Sequence, residues 1–169
     1  MKSFEVEQKY RVTKPSSFRK TLRALKAKKI FSDHEFNELY DIRKKFGVKG
    51  VLRLRKYAGG KGLLTFKGPR MPGKFKKRVE IETPMDFDKT RAIFKMLGLK
   101  VVARYAKWRE EYSLGGCHVT LDYLKGAGWF AEIEGPHRKI EALAPRLGFS
   151  NKDREERTYL EILNLSLSS

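Results

Sequence analysis

Sulfur and imidazole are scarce in this chain: its 169 residues hold one cysteine and three histidines. Cys117 has no second thiol to pair with, so no internal disulfide forms and a reducing, cytoplasmic setting fits. A single thiol of this kind reads as a small buried residue rather than a nucleophile. Cysteine and histidine are too few for a zinc cage. No apolar run approaches the roughly 20 residues of a membrane-spanning helix, and the opening residues read as a charged strand rather than a signal peptide. Low-complexity tracts are missing too, and no linker or internal repeat is legible. Residues 1–169 therefore read as one globular domain with no membrane partner.

Charge is abundant. Lys and Arg total 38 against 20 Asp and Glu, a net charge of +18, and so basic a protein attracts polyanions. Many lysines (Lys26, Lys28, Lys29, Lys44, Lys45, Lys74, Lys76, Lys77) fall at helix ends or turns and read as solvated surface. The rest follow a pattern. In Phe4 to Arg11, the residues Glu5, Glu7, Lys9 and Arg11 occupy alternate positions, so a strand turns all four to one face. Arg53/Arg55, Thr65/Lys67, Arg78/Glu80/Glu82, Lys107/Arg109, His118/Thr120/Asp122 and Glu132/Glu134 repeat the alternation, with apolar or aromatic residues between. A nucleic-acid surface has no use for Glu5, Glu7, Glu132 and Glu134 among its arginines. A site for phosphate with metal does.

In chain order, the pattern predicts a strand over 2–12, then a helix from Pro15 to about Lys29 with Phe18, Leu22 and Leu25 on one face. A weaker strand over 30–42 is anchored by Phe36 and Tyr40, and a loop follows over 44–50. Strands over 51–57 and 63–67 flank a glycine hairpin. A Gly/Pro-rich turn leads to a strand over 75–83 that Pro84 stops. Asp86 is placed to cap a helix carrying Phe87, Phe94 and Leu97, which Gly98 ends. Strands over 101–114, 117–124 and 129–134 follow. A short helix carries Ile140, Leu143 and Leu147, and Pro145 kinks or ends it. A last helix spans 153–165. Eight strands joined mostly by hairpins, with amphipathic helices, make an α+β protein. Closing the antiparallel sheet into a barrel, charges inside and helices outside, satisfies both strand faces and removes the edges.

The ordered charges resemble the CYTH family, the triphosphate tunnel metalloenzymes that include class IV adenylyl cyclases and thiamine triphosphatases. The ExExK signature stands as Glu5-Val6-Glu7-Gln8-Lys9. Val51-Leu52-Arg53-Leu54-Arg55, Thr65-Phe66-Lys67-Gly68-Pro69, Arg78-Val79-Glu80-Ile81-Glu82, Lys107-Trp108-Arg109, Leu121-Asp122 and Phe130-Ala131-Glu132-Ile133-Glu134 follow in the family's order. Glu156-Arg157-Thr158-Tyr159-Leu160 is similar to the tail of the class IV cyclase branch. The second strand departs from the pattern at Asn37-Glu38-Leu39-Tyr40-Asp41, so no site residue is assigned there.

The resemblance implies a closed tunnel and an enzyme acting on an organic or inorganic triphosphate. It places Lys9, Arg53, Arg55, Lys67, Arg78, Lys107, Arg109 and Arg157 on the substrate. Lys9, Arg53, Lys107 and Asp122 carry the chemistry, and Glu5, Glu7, Asp122, Glu132 and Glu134 hold Mg²⁺ or Mn²⁺. Physics agrees: two like charges about 4 Å apart cost roughly 4 kcal/mol at an effective dielectric near 20, so such a lining is frustrated without an anion and a cation. Hard oxygen ligands suit Mg²⁺ or Mn²⁺. Glu80 and Glu82 either pair with basic neighbours or join the metal. His118 reads as a structural hydrogen bonder, Arg11 as solvated near the mouth, and Trp108 and Trp129 as packing between barrel and helices. Three functions follow: a cyclase converting ATP to cyclic AMP and pyrophosphate, a triphosphatase acting on thiamine triphosphate, tripolyphosphate or a nucleotide, and a polyanion-binding module. By resemblance, the tail and the Lys107/Arg109 region favour the first. A homodimer through an outer strand or helix rests on the resemblance only.

Overall fold

The computed structural model describes residues 3–72 and 76–165, with side chains from Val6 to Pro72 and from Lys77 to Leu165. Lys2, Lys74 and Phe75 lie outside the described residues, as do the side chains of Glu5 and Lys76. Eight antiparallel strands close into a barrel: β1 (Ser3–Val12), β2 (Lys28–Asp41), β3 (Val51–Tyr57), β4 (Gly62–Lys67), β5 (Lys76–Met85), β6 (Val101–Leu114), β7 (Cys117–Leu124) and β8 (Gly128–Glu134). Their order around the wall is β1-β5-β4-β3-β2-β6-β7-β8. Apolar side chains face outward and need cover. The helices α1 (Pro15–Ala24) and α4 (His137–Arg146) bury Phe18, Leu22, Ile140 and Leu143 against Tyr10, Tyr112, Val119, Leu121 and Ile133. On the opposite flank α3 (Phe87–Met96), capped by Asp86 accepting from the Lys89 N–H, buries Phe87 and Phe94 against Tyr40, Ile42 and Leu54.

A repeat that the sequence hides is plain in this order. Apart from one helical turn, α2 (Arg43–Phe46), the chain runs strand, helix, three strands, twice over: β1-α1-β2-β3-β4, then β5-α3-β6-β7-β8. Exchanging the two halves leaves the strand order of the barrel unchanged. Arg19, Glu38 and Tyr40 recur as Arg91, Glu110 and Tyr112, each 72 positions on, in one arrangement. The buried Glu38 accepts the Tyr40 hydroxyl at 2.7 Å and pairs with Arg91 of α3 at 3.2 Å and Arg104 at 2.9 Å. The buried Glu110 accepts the Tyr112 hydroxyl at 2.6 Å and pairs with Arg19 of α1 at 2.6 Å and Lys29 at 3.3 Å. Each clamp ties the helix of one half to the long strand of the other, Glu38 of β2 holding α3 and Glu110 of β6 holding α1.

The repeat exposes a local strain. Gly98, after α3, adopts φ +69°, and at the matching place after α1 stands Lys26 at φ 58°. A side chain in this left-handed region costs about 1–2 kcal/mol, offset in part by the larger unfolded-state freedom of glycine. Lys26→Gly is therefore expected to stabilise the protein by about 0.5–1 kcal/mol in denaturant unfolding.

Several boundaries differ from expectation. Helix α1 ends at Ala24 because the chain turns at Lys26, and β2 begins at Lys28. Strand β5 runs through Pro84 to Met85. Pro84 pairs with Leu63 on the β4 side, while the β1 ladder ends at Glu80 among the described residues. The missing N–H of a proline does no harm on such an edge. Leu97 is exposed. The tail is not one helix over 153–165. A 3₁₀ turn (Asn151–Asp153) and the single helical turn α5 (Tyr159–Ile162) flank an extended segment whose Arg154 bridges Tyr10.

Candidate active site

The register of the strands decides which charges meet. Glu7 and Lys9 of β1 lie opposite Glu134 and Glu132 of β8. Arg53 of β3 lies opposite Thr65 of β4, which in turn lies opposite Glu82 of β5, and Lys67 opposite Glu80. Alternation turns these residues inward around a cavity of about 930 Å³. Among the described residues, basic side chains outnumber carboxylates along its wall, eleven to seven. Different strands contribute opposite signs. Strands β3 and β4 bring Arg53, Arg55 and Lys67, whereas β8 brings Glu132 and Glu134.

Beneath the basic side lies a buried ion cluster. Asp122, fully enclosed, accepts from Lys107 Nζ at 2.9 Å, from Arg109 Nε at 2.7 Å and Nη2 at 2.6 Å, and from the Tyr159 hydroxyl at 2.6 Å. Glu35 lies 3.2 Å from Arg55, 3.4 Å from Lys107 and 3.9 Å from Arg109. Its two oxygens make no hydrogen bond among the described residues, so charge alone holds it. Burial would push the Glu35 carboxyl up, but Lys107, Arg109, Arg55 and Arg53 together bring it down to about 2. At the wall, Arg53 Nη2 donates to Thr65 and Glu82, each at 3.1 Å. Glu80 accepts from Arg78 at 2.7 Å and from Lys67. Arg55 donates to Asn37 at 3.1 Å.

The acidic side has the opposite character. Removal from water, then Glu7, Glu80 and Glu132 nearby, raise the Glu134 carboxyl above the ordinary range, although His118 pulls it down. Like charges crowded this way fit a cation. No three of the described acidic, histidine or cysteine side chains form a ready-made metal cage. Mg²⁺ does not need one: it binds through one or two carboxylates, substrate phosphates and water. Glu7, Glu132 and Glu134 fit that role.

Of the residues named from sequence, Glu7, Lys9, Arg53, Arg55, Lys67, Arg78, Lys107, Arg109, Glu132 and Glu134 line the one cavity. Asp122 sits behind the lining as the anchor of Lys107 and Arg109. Glu5 pairs with Arg78 in the ladder, and its side chain lies outside the described residues. Arg157 stands apart: its half-exposed guanidinium pairs with Glu155 at 2.8 Å, and it is not among the lining residues. Arg11 also pairs with Glu155, at 2.8 Å, near the surface. Glu80 and Glu82 hold basic neighbours, as one of their two readings had it. Trp129 packs beside α1, with Arg19 4.9 Å from its ring. Sequence reasoning missed Glu35, Glu111 and the contacts of Tyr159 with Lys9, Lys107 and Asp122. The alternation Asp33, Glu35, Asn37 was a signal for the first.

The CYTH domain family profile matches residues 3–159. The adenylate cyclase CyaB of Aeromonas hydrophila is 29% identical over 98% of this chain and 91% of its own length. A conserved hypothetical protein from Pyrococcus furiosus superposes with TM-score 0.82 at 29% identity, covering 94% of this chain and 99% of its own. HpAC1 from Hippeastrum, with a dominant triphosphatase activity, superposes with TM-score 0.68, covering 99% of each chain. Its 16% identity shows the shared fold alone. With this match running through every strand whose charges meet in the cavity, the chain belongs to the CYTH domain family.

Proposed function

We propose that the cavity binds the triphosphate of ATP with Mg²⁺ or Mn²⁺ and converts ATP to cyclic AMP and pyrophosphate. The two-sided lining carries this reading: a cationic wall sized for several phosphoryl groups faces carboxylates crowded enough to raise Glu134. Identity to the Aeromonas hydrophila cyclase along nearly its whole length supports the cyclase in particular.

Phosphate oxygens exchange with internal carboxylate partners. Lys67 and Arg78 share one carboxylate, Glu80, and Arg53 leans on the half-exposed Glu82. A triphosphate offers each a charge-assisted bond, with the arginine forks suited to two oxygens at once. Arg109 spends Nε and Nη2 on Asp122 and Glu132, while its Nη1 is held only at 3.7 Å from Glu111 and turns readily to a phosphate. Glu7, Glu132 and Glu134 would hold the cation, which would supply neutralisation of the phosphate charge. The ribose 3′-hydroxyl oxygen bonds to the α-phosphorus as its proton passes to solvent water and the bond to the pyrophosphate oxygen breaks, and Lys9, Arg53 and Lys107, preset by Glu132, Thr65 and Asp122, stabilise the developing charge.

The alternative is a triphosphatase, in which water attacks the terminal phosphorus. The same residues serve it, and the Hippeastrum protein carries that activity on the same fold. Pure protein incubated with ATP, thiamine triphosphate or tripolyphosphate, each with Mg²⁺ or Mn²⁺, is expected to yield cyclic AMP and pyrophosphate from ATP. Orthophosphate as the dominant product moves the assignment to the triphosphatase, and no turnover of any of the three removes both.

A further inference from the structure

The C-terminal segment places one aromatic ring among the buried cations. After the 3₁₀ turn the chain runs along β1, where the Glu155 N–H donates to the Lys9 carbonyl at 3.0 Å. The Arg157 carbonyl then accepts from Lys9 Nζ at 3.1 Å. At Thr158 a capping box starts α5 and turns Tyr159 into the barrel. Phe130 packs edge-on against the Tyr159 ring at 5.8 Å and Tyr105 at 6.3 Å. Lys9 Nζ stands 3.7 Å from the ring centroid and Lys107 Nζ 5.0 Å. The hydroxyl donates to Asp122. One side chain thus touches three residues of the site.

The arrangement solves a problem specific to Lys9. Its ammonium is cut off from solvent, 2% exposed, and Glu132 is 3.5 Å away. A buried ammonium lacking other partners closes on the nearest carboxylate, which here would cancel a charge the acidic side needs. The face of an aromatic ring attracts a cation without carrying a formal charge. The ring therefore holds Lys9 beside Glu132 without adding a second formal negative charge against it, so less of its positive charge is cancelled before an anion arrives. The hydroxyl meanwhile fixes Asp122, and through it Lys107 and Arg109.

We propose that Tyr159 is a positioning residue of the anion site, its ring seating Lys9 and Lys107 and its hydroxyl locking Asp122, so that the C-terminal segment is part of that site. The proposal rests on the triphosphate reading of the cavity. The test replaces Tyr159 by phenylalanine and by mono-, di- and trifluorinated phenylalanines, which keep the shape while draining the negative face of the ring. Calorimetry with tripolyphosphate and Mg²⁺ is expected to show a several-fold loss for Tyr159→Phe. A further stepwise loss, about tenfold from phenylalanine to the trifluoro ring, follows from a desolvated cation–π contact. Melting temperatures should stay level across the fluorinated series. Affinity that is flat along the series overturns the proposal. Side-chain NMR separates the two readings: ring current shifts the Lys9 ε-protons upfield in wild type, and Tyr159→Leu abolishes the shift. A shift without any tripolyphosphate binding in wild type defeats the reading of the cavity. Absence of the shift defeats the seat.

Discussion

Glu35→Gln is expected to unfold about 6–12 °C below wild type at neutral pH. A carboxyl brought from 4.5 to about 2 contributes about 3 kcal/mol, and a domain of this size loses roughly 2–4 °C per kcal/mol. The cause is the company Glu35 keeps. Lys107 and Arg55 are buried with it, and removing one partner of a buried ionic cluster leaves the others uncompensated. The pH dependence follows from the direction of the shift. A carboxyl lower in the folded state adds stability that is fully present above its unfolded value and is lost as pH falls through its folded one. The gap between wild type and Glu35→Gln should therefore close from about pH 5 towards pH 2. Glu110 and Glu155, also brought to about 2, titrate in the same window in both proteins, so the difference curve isolates Glu35. An unchanged melting temperature at pH 7 would show that Asp122 alone neutralises the cluster. Tripolyphosphate, which restores negative charge to the folded state only, should raise the melting temperature of the variant more than that of wild type.

The second large effect concerns the carboxylates of β1 and β8. Without a divalent cation, Glu7, Glu132 and Glu134 repel the phosphates that the opposite wall attracts. In the proposed site they would become its ligands, and the repulsion would change sign. Glu7→Gln is thus expected to lower metal-supported tripolyphosphate affinity about hundredfold or more, in keeping with the several kcal/mol a cation supplies to phosphate chemistry. In excess chelator the order should reverse, the variant binding slightly better than wild type because one repelling charge is gone. Glu132→Gln should lose the metal effect too. It also frees Arg109 and Lys9 from a carboxylate at 2.7 and 3.5 Å, so its metal-free affinity should rise further than that of Glu7→Gln.

The alternation of charge was enough to read the barrel. Strands β3, β6 and β7 fall where the period-two pattern places them, because each pairs an inward charged face with a helix-covered apolar one. The register was not readable, and the register makes the site: nothing in a single strand says that Glu7 meets Glu134 or that Glu35 lies beneath Arg55. Strand β2 misled for a physical reason. Its outward face mixes the exposed Ile30 and Phe36 with the buried Glu38, so its inward face did not announce itself. Arg157 was placed on the substrate by the resemblance of its tail segment, yet a guanidinium with Glu155 beside it has no need to enter the barrel. The neighbour that does enter, Tyr159, reads in sequence as one apolar position on a helix. The internal repeat was hidden because the inner faces of its two halves carry different charges. Asn37 and Glu35 match Arg109 and Lys107, and only the outer clamps, Arg19/Glu38/Tyr40 and Arg91/Glu110/Tyr112, kept their identities.

Calorimetric titration with orthophosphate, pyrophosphate and tripolyphosphate, with Mg²⁺ and with chelator, at two salt concentrations, tests the metal-assisted triphosphate cavity most directly. A fixed array of Lys9, Arg53, Arg55, Lys67, Arg78 and Arg109 matches a set number of phosphoryl groups. Enclosed bidentate contacts are also screened far less than exposed ones. The expected result is binding that strengthens steeply from one phosphoryl group to three, collapses without the cation, and changes little with salt. Equal affinities for the three chain lengths, indifferent to chelator and falling steeply with salt, would mean that the +18 surface and not the barrel interior does the binding.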